Sequence, residues 1–500
     1  MKPSVTPDRP TDAVPAWRPD PPPAAASYAA VDAYVEQQLR RLNVPGAALA
    51  IVEADRVAHQ RGFGHARPGG PPPSPQTPFV IGSATKSLTA LAVMQLVEDG
   101  KVDLDAPVQR YLPWFRVADS AASARITVRQ LLYHTSGLSS ACGWAPMVAA
   151  DRSPGAPERQ ARALASVRLS RPVGSAFEYS NANYDLLGLV VAAASGESYP
   201  AYVKNHIFGP LEMCHSHTSR DGARRAGLAM GHRFWFGHPV ADPDEELAPG
   251  SLPSSLLISS AEDLAHYLIA QLSGGRYGGA QVLPPAGIAE TQRPAVEANQ
   301  GVLKGHYGMG WLVDDTGPTR VVWHDGVVPD FFAHVALLPE RKRGFVLLLN
   351  ADHFAMVPAL GEIGHGVTAL LAGRKPAPSR WGAITPWALR GLLLIPVLQV
   401  LGVATTLRRL RGWEREPDSR PSRRRVAVLH VLLPVVPNLL LAATPVLLLS
   451  SGLARFLLRF GPDVSGVALV CGGFAGVWAF ARTGLLLRTL RPSRHRSTRR

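Results

Sequence analysis

The chain has 500 residues, with 52 Lys and Arg against 38 Asp and Glu, and a formal net charge of +14. The excess is concentrated in two segments, because eight Arg lie between Arg408 and Arg425 and six more from Arg488 onward. The rest of the chain is close to electrical balance, and both Arg-rich segments border long apolar runs. The composition therefore argues against a nucleic-acid partner and indicates a lipid bilayer.

The first predicted elements are a leader, a helix and two strands. Residues 1–27 are rich in Pro and Ala, contain no apolar segment typical of a signal peptide, and are predicted to be disordered. Export would then need a start further upstream or a different route. Helical periodicity follows at 28–42, and the apolar segments 47–52 and 57–64 are predicted strands, followed by a Gly/Pro-rich loop at 68–77.

The middle of the chain is predicted to be mostly helical, from Ser83 to about residue 290. The pattern then changes to period two at 308–313, 320–324, 332–338 and 344–350, and a closing helix is expected at 354–371. Strands at both ends of a domain indicate one antiparallel sheet built from both termini. The predicted fold class is thus α/β in the α+β sense, a sheet flanked by helices plus a helical lobe, with a cleft where the two meet.

Three uncharged apolar segments near the end of the chain are predicted membrane spans: 391–407, 426–450 and 464–481. We therefore predict a domain at 28–375 and a membrane region at 376–500. If both Arg-rich segments are cytoplasmic, the connection at 451–463 and the domain at 28–375 lie on the outer face. The predicted location is a multi-pass cell-membrane protein with an extracytoplasmic catalytic domain.

The strongest chemical signal is Ser83-Ala84-Thr85-Lys86, which follows an apolar run and opens a helical pattern. Residues i and i+3 share a helix face, so the Lys86 amine can reach the Ser83 oxygen. A buried lysine with a lowered pKa can remove the proton of a serine and make it a nucleophile. Only seven Lys occur in the chain, against 45 Arg, so the amine at this position is unusual.

Two further motifs are weak by themselves. Tyr179-Ser180-Asn181 precedes an apolar helix, and a phenol with a lowered pKa can pass a proton to a leaving group, while an amide can bind a peptide-like bond. His324-Asp325-Gly326 is predicted at the end of a strand, where glycine lets a ligand approach the backbone. For each motif in isolation, a helix-capping loop or a structural histidine is the more frequent explanation.

Together, in this order, the three motifs resemble the serine β-lactamase and penicillin-binding protein superfamily. The chain is most similar to the branch that holds class C β-lactamases, D-alanyl-D-alanine carboxypeptidases and related esterases. The segments 103–108, 126–138 and 307–311 also match this branch, and the resemblance covers roughly residues 28–372. The apolar spans that follow are not part of the common domain of the superfamily.

The resemblance implies a role for each motif. Ser83 would be the nucleophile, Lys86 its activating neighbour, and Tyr179 the group that exchanges a proton with the leaving group. Asn181 would hold the acyl side of a small-molecule or peptide substrate, beside His324, Asp325 and Gly326. The N–H groups of Ser83 and Val327 would form the oxyanion hole, and neither a metal nor another cofactor is expected.

Two departures from the family pattern bear on the substrate. β-Lactamases of this branch have Lys-Thr-Gly where this chain has His324-Asp325-Gly326, so a largely neutral His and a carboxylate replace a cation and a hydroxyl. We expect Asp325 to repel an anionic substrate, by roughly 4 kcal/mol at about 4 Å and an effective dielectric near 20, and to disfavour β-lactam hydrolysis. Relatives usually have Gly at the position of Asp330 in Pro329-Asp330, so the neighbouring loop is expected to differ.

Several readings stay open at this point. The domain would be a hydrolase, a sensor that stays acylated and signals through its spans, or a binding domain without catalysis. Cys214-His215-Ser216-His217 resembles a metal cluster but has no acidic partner motif, so we predict an ordinary loop. A Cys142–Cys214 disulfide would suit an oxidising compartment, although the sequence does not establish its geometry.

Overall fold

A computed structural model describes residues 27–147, 151–153, 155–243, 249–301, 303–416, 421–450 and 454–489. Nearly all of the predicted leader therefore lies outside the described residues. Strands β1 to β15 comprise Gly46–Glu53, Arg56–Gly64, Phe79–Val80, His232–Trp235, His238–Ala241, Ile258–Ser259, Arg276–Tyr277, Ala280–Gln281, Val296–Glu297, His306–Tyr307, Leu312–Asp314, Val321–Val328, Phe331–Leu338, Arg343–Leu349 and Ala351–Asp352.

Helix α1 precedes the first strand, and the other helices occupy the middle and the end of the chain. Helices α1 to α18 comprise Tyr28–Leu42, Thr85–Glu98, Ser120–Ser123, Val128–Leu132, Ser140–Met147, Ala156–Arg162, Asn181–Ser195, Tyr199–Val203, Arg220–Arg225, Ala261–Leu272, Pro285–Thr291, Val357–Leu371, Trp381–Gly391, Leu394–Arg415, Arg423–Arg425, Leu433–Ser450, Ala454–Phe460 and Pro462–Thr489. A 3₁₀ turn at Gly82–Ala84 precedes α2, and π-helical turns occur at Leu252–Leu256 and Val426–Leu432.

An eight-stranded sheet with the order β2-β1-β14-β13-β12-β11-β10-β9 forms the centre of the domain, and its described pairings are antiparallel. Strand β1 pairs with β14 (Ala47 opposite Leu349), so the two ends of the domain meet in the sheet, as predicted. Successive residues of β1 enter two different cores, because side chains alternate across a strand. One core lies against α2, α7 and α10, and the other against α1 and α12. The predicted fold class is confirmed.

The predicted strand at 308–313 is wrong in detail. The chain instead forms β10 and β11, separated by a bend in which Gly310 has φ +76°. A Cβ at Gly310 would lie 2.6 Å from the Lys86 carbonyl oxygen, so the bend packs directly on α2. The predicted strand at 320–324 extends to Val328, which places His324-Asp325-Gly326 inside β12 rather than at its end.

Four helical segments are long and apolar enough to span a membrane by length and composition: Phe354–Leu371, Trp381–Arg415, Arg423–Ser450 and Pro462–Arg488. In the first segment 56% of the most apolar 18-residue stretch is buried, and α12 packs on the central sheet. In the second and third segments only 6% of the corresponding stretch is buried. The three predicted spans lie within the other three segments. Short helix α17 joins the last two of them and contacts the sheet domain through Phe456 and Phe460.

Candidate active site

Ser83 lies in the 3₁₀ turn that leads into α2, and Lys86 lies in the first turn of that helix. Lys86 Nζ is 3.0 Å from Ser83 Oγ, 2.7 Å from Asn181 Oδ1 and 2.8 Å from the Ser254 carbonyl oxygen. Lys86 is completely buried and Ser83 is 9% exposed. The amine is therefore held against the serine by two oxygens from other parts of the chain.

The buried position of Lys86 changes its chemistry. Burial lowers the pKa of Lys86 to about 7, against a weaker opposite effect of the Asp185 carboxylate. Burial also raises the pKa of Asp185, while Ser254 and Lys86 act in the opposite direction. The site thus favours the neutral forms of both groups, and a neutral amine can accept the Ser83 proton. The sequence analysis missed Asp185. This residue lies six positions after Tyr179 in an apolar helix, and its charge was the only sequence feature that distinguished it.

Two glycines bring β12 against the nucleophile. A Cβ at Gly82, which has φ +54°, would lie 2.4 Å from the Val327 nitrogen. A Cβ at Gly326 would lie 1.9 Å from the Ile81 carbonyl oxygen, so neither position can carry a side chain at this separation. The Ser83 turn and the Val327 N–H are therefore close neighbours, the arrangement that an oxyanion hole requires.

Tyr179 lies beside both reacting groups. Lys86 Nζ is 4.7 Å from the centroid of its ring, and the Ser83 side chain also influences its hydroxyl. The expectation of a lowered phenol pKa is wrong, because burial raises the pKa of Tyr179 well above its usual value despite the opposing effect of Ser83. Tyr179 is thus a neutral phenol, which can donate a proton but is a poor base.

His134 supports the Tyr179 ring and was missed as a site residue. Its ring centroid lies 4.5 Å from that of Tyr179 and 4.9 Å from that of Tyr307. Its Nδ1 accepts hydrogen bonds from the Ser180 N–H and the Asn183 amide, at 3.2 and 2.9 Å. Burial lowers the pKa of His134 well below its usual value, so the imidazole is neutral and packs against the Tyr179 ring without a charge. The motif at 126–138 contained it, but nothing in the sequence linked it to Tyr179.

His324 closes the site on the β12 side. Its Nδ1–H donates to the Asp325 carbonyl oxygen at 2.6 Å, and the Tyr307 hydroxyl donates to Nε2 at 3.3 Å. Burial lowers the pKa of His324 to about 4, with a further contribution from Lys86. His324 is therefore neutral at pH 7 and does not supply the cation that an anionic substrate group would need.

The family model described as Beta-lactamase matches residues 31–363, which is more than half of the chain. The chain belongs to the beta-lactamase family. It is 28% identical over 455 residues to the protein flp of Staphylococcus aureus strain MW2, covering 88% of this chain and 87% of flp. It is 29% identical over 314 residues to penicillin-binding protein 4 of Amycolatopsis lactamdurans, covering 62% of this chain and 81% of that protein.

A solved structure shares the beta-lactamase fold described above. The octameric penicillin-binding protein homologue from Pyrococcus abyssi is 26% identical with a TM-score of 0.58, over 71% of this chain and 79% of that one. The match to flp covers 455 residues, which is more than the whole part of the chain before the predicted membrane region. The similarity to flp therefore continues beyond the beta-lactamase domain.

Within this family the orientation of Asp325 is a correction to the expected site. Because β12 continues to Val328, Asp325 shares a strand face with Trp323, on the side of α12, and its Oδ1 accepts from His334 Nδ1 at 2.6 Å. His334 is completely buried and the Asp325 side chain is 19% exposed. Its charge is directed to this histidine, so the expected repulsion of an anionic substrate by Asp325 does not follow from the geometry.

The Pro329-Asp330 departure from the beta-lactamase pattern has a structural counterpart. Asp330 has φ +70°, a conformation that glycine adopts without strain. Its carboxylate is fully buried and accepts two hydrogen bonds from Arg233, at 3.0 Å from Nε and 2.9 Å from Nη2. This clamp from β4 fixes the β12–β13 turn beside Val327.

The histidine loop also differs from expectation. Acidic partners do exist, because His215, Glu262 and Asp263 bring ligand atoms within 4.8 Å of one another, close enough to hold a metal ion. One Asp263 oxygen accepts hydrogen bonds from the His215 N–H and the Ser216 hydroxyl, so this carboxylate also anchors the loop to α10. Cys142 and Cys214 are free thiols, and the considered disulfide is not formed.

Proposed function

We propose that the protein is a membrane-anchored serine hydrolase that forms an acyl-enzyme at Ser83. The observation that carries this proposal is the 3.0 Å contact between Ser83 Oγ and the buried amine of Lys86. A serine paired with a lysine whose pKa is lowered by burial is an activated nucleophile. Membership of the beta-lactamase family supports the same chemistry.

The proposed reaction uses four groups. Neutral Lys86 accepts the Ser83 proton as Oγ attacks the substrate carbonyl carbon, and the N–H groups of Ser83 and Val327 stabilise the oxyanion. One such donor contributes roughly 3 kcal/mol in well-studied hydrolases. The Tyr179 phenol donates its proton to the leaving oxygen or nitrogen as the bond to the carbonyl carbon breaks. Water then attacks the acyl-enzyme and gives its proton to the Tyr179 phenolate, while protonated Lys86 returns its proton to Ser83 Oγ as the bond to the acyl carbon breaks and the acid is released.

The proposed substrates are esters, amides or D-amino-acid peptides without a required carboxylate next to His324. Support comes from the neutral state of His324, whose pKa of about 4 leaves no cation for such a carboxylate at pH 7. Efficient β-lactam hydrolysis is therefore not expected. The sequence analysis attributed this to the charge of Asp325, whereas the reason proposed here is the neutral state of His324. Asn181, whose Oδ1 is 2.7 Å from Lys86 Nζ, is proposed to face the acyl side.

The proposed location of the catalytic domain is the outer face of the cell membrane. Three candidate spans follow the domain, and the connection between the last two contacts it through His353 and Asp463. With three spans, the domain and this connection share one side, and both Arg-rich segments share the other. Arg-rich segments favour the cytoplasmic side, so the domain is placed outside.

The test is labelling of the purified full-length protein with a fluorophosphonate probe. We expect labelling of the wild type, none of Ser83→Ala, and unchanged labelling of Ser87→Ala, a matched buried serine one turn further along α2 whose hydroxyl donates to the Ala84 carbonyl oxygen. Turnover is then measured with a p-nitrophenyl ester, a D-amino-acid peptide and a chromogenic cephalosporin. Absence of labelling in the wild type would refute the proposal, and faster turnover of the cephalosporin would refute the substrate class.

The same experiment separates the sensor alternative. A hydrolase releases the acyl group and turns over many times, whereas a sensor stays acylated. A stoichiometric burst of p-nitrophenol without further turnover would favour the sensor, and labelling without any burst from substrates would favour a binding domain.

A further inference from the structure

A histidine and two carboxylates converge where the loop at 214–218 meets the first turn of α10. His215 lies in the loop, and Glu262 and Asp263 are neighbours at the start of the helix. One ligand atom from each of the three side chains lies within 4.8 Å of the other two, and His215 Nε2 is 3.8 Å from Glu262 Oε2. These side chains therefore share one small space, and none of them belongs to the Ser83 site described above.

The Asp263 carboxylate is only half satisfied by its protein partners. Asp263 is 1% exposed. Its Oδ2 accepts hydrogen bonds from the His215 N–H and the Ser216 hydroxyl, at 2.8 and 2.7 Å. Its Oδ1 is buried and has no hydrogen-bond partner among the residues that the structure describes. A buried carboxylate oxygen without a partner is costly, and a bound cation would satisfy it.

The three side chains together favour a transition-metal ion. Two carboxylates this close repel each other when both are ionised, and a divalent cation between them removes the repulsion. The His215 imidazole adds a nitrogen ligand, which suits Zn²⁺ better than Ca²⁺ or Mg²⁺, whose ligands are oxygens. Ligand atoms on one Zn²⁺ lie about 3.3 Å apart, so small rotations of the partly exposed His215 and Glu262 side chains would bring them to that spacing.

The loop that carries His215 is bonded to the strands that lead to the nucleophile. The His217 N–H donates to the Ile258 carbonyl oxygen at 2.8 Å, and the Ile258 N–H donates back to His217 at 3.0 Å. Ile258 belongs to β6, which pairs with β3, where Val80 lies opposite it. Ser83 follows three residues after Val80. Fixing the loop on α10 therefore also stabilises the strand pair that precedes Ser83.

We propose that His215, Glu262 and Asp263 bind a divalent transition-metal ion, best fitted by Zn²⁺, which joins the loop at 214–218 to α10. The ion has a structural role and takes no part in the reaction at Ser83. Three protein ligands leave room for water in the remaining coordination position. The proposal does not depend on the hydrolase function, because it concerns a different part of the domain.

The test measures Zn²⁺ binding by the full-length protein, purified in detergent without a histidine tag and stripped of metal with EDTA. Calorimetric titration with Zn²⁺ should show one ion per chain. Zn²⁺ at about 100 times its Kd should raise the Tm of the domain by about 4 °C. His215→Gln and Glu262→Gln should each weaken Zn²⁺ binding about tenfold or more, because an amide is a poorer Zn²⁺ ligand than an imidazole or a carboxylate.

His206→Gln is the matched control. His206 Nε2 lies 2.6 Å from Glu197 Oε1, so this pair resembles the His215–Glu262 pair, but it belongs to no described group of three ligands. Its Zn²⁺ affinity should equal that of the wild type. Because His215 and Glu262 are partly exposed, both variants should have the wild-type Tm in EDTA, which separates loss of the metal site from loss of the fold.

The other outcomes would overturn the proposal. They are no Zn²⁺ binding by the wild type at micromolar to millimolar concentrations, binding that both variants retain, and equal weakening by His206→Gln. Tighter binding of Ca²⁺ or Mg²⁺ than of Zn²⁺ would overturn the assignment of a transition metal. Fluorophosphonate labelling of the same samples separates the two proposals: a labelled protein that binds no Zn²⁺ refutes only the metal site, and an unlabelled protein that binds Zn²⁺ refutes only the hydrolase.

Discussion

The acylation of Ser83 should depend on pH through the amine of Lys86. With a pKa of about 7, roughly half of Lys86 is neutral at pH 7 and about a tenth at pH 6. An ordinary lysine, with a pKa near 10.4, would be neutral in about one molecule in 2,500 at pH 7. Burial thus makes the base available at neutral pH, and the rate should fall about fivefold from pH 7 to pH 6 and no more than about double above pH 7.

The assay is the second-order rate constant of fluorophosphonate labelling between pH 5.5 and 9.5, with Ser83→Ala as the blank. Of the other site groups, His324 and Tyr179 titrate outside this range, because the pKa of His324 is lowered to about 4 and that of Tyr179 is raised. Asp185 titrates inside it, because burial raises its pKa to about 8, and its charge interacts with that of Lys86. A rise centred near pH 7 that levels off by about pH 9 is expected. A rate that keeps rising tenfold per pH unit to pH 9.5 would refute the assignment of Lys86 as a base with a lowered pKa.

The substitution Asp185→Asn tests the pKa of Lys86 through its charged neighbour. In its ionised form Asp185 raises the pKa of Lys86 against the effect of burial, and its own raised pKa limits this influence to the upper part of the pH range. Asp185→Asn removes this charge while keeping the shape of the side chain, so the midpoint of the labelling profile should move to lower pH. An unmoved midpoint would show that Asp185 and Lys86 are not coupled, and a midpoint at higher pH would contradict the sign of the interaction.

Three further predictions concern the neighbouring elements. Arg233→Met should destabilise the domain by about 3–5 kcal/mol, because the buried Asp330 carboxylate loses the cation and both hydrogen bonds of Arg233, and adding Asp330→Gly should recover most of the loss in thermal unfolding. Gly326→Ala should slow Ser83 labelling by about 10²–10³-fold, whereas Gly317→Ala, with open space around it, should not change it. Tyr179→Phe should slow hydrolysis of alkyl esters by about 10²-fold or more and that of p-nitrophenyl esters less, because p-nitrophenolate leaves without a proton; equal losses in kcat would contradict the acid role.

The parts of the site that sequence could predict depend on short-range geometry. The Ser83–Lys86 contact follows from the spacing of one helical turn, and the strand pattern from alternation across a sheet. The orientation of the Asp325 side chain depends on the length of β12, and the residues that flank this strand do not show where it ends. The pKa of Tyr179 depended on burial by His134 and other distant residues, so the expected direction was wrong.

Contacts between remote segments explain the remaining differences. Lys86 is held by the Ser254 carbonyl oxygen, and a backbone oxygen has no sequence signature. The acidic partners of His215 come from the first turn of α10, so a local motif search could not find them. Helix α17 contacts the domain by stacking Phe456 on Trp144, and neither residue is part of a sequence motif that indicates this contact.

The pairing of β1 with β14 also sets an order of events during synthesis. Ser83 is made early, but Ser254, Val327 and the closing strand Arg343–Leu349 emerge much later. Bringing chain ends about 300 residues apart together costs roughly 5 kcal/mol of entropy, which partial chains cannot offset with native sheet contacts. A nascent chain therefore carries an inert serine, and the reactive centre arises only where and when the last strand joins the sheet.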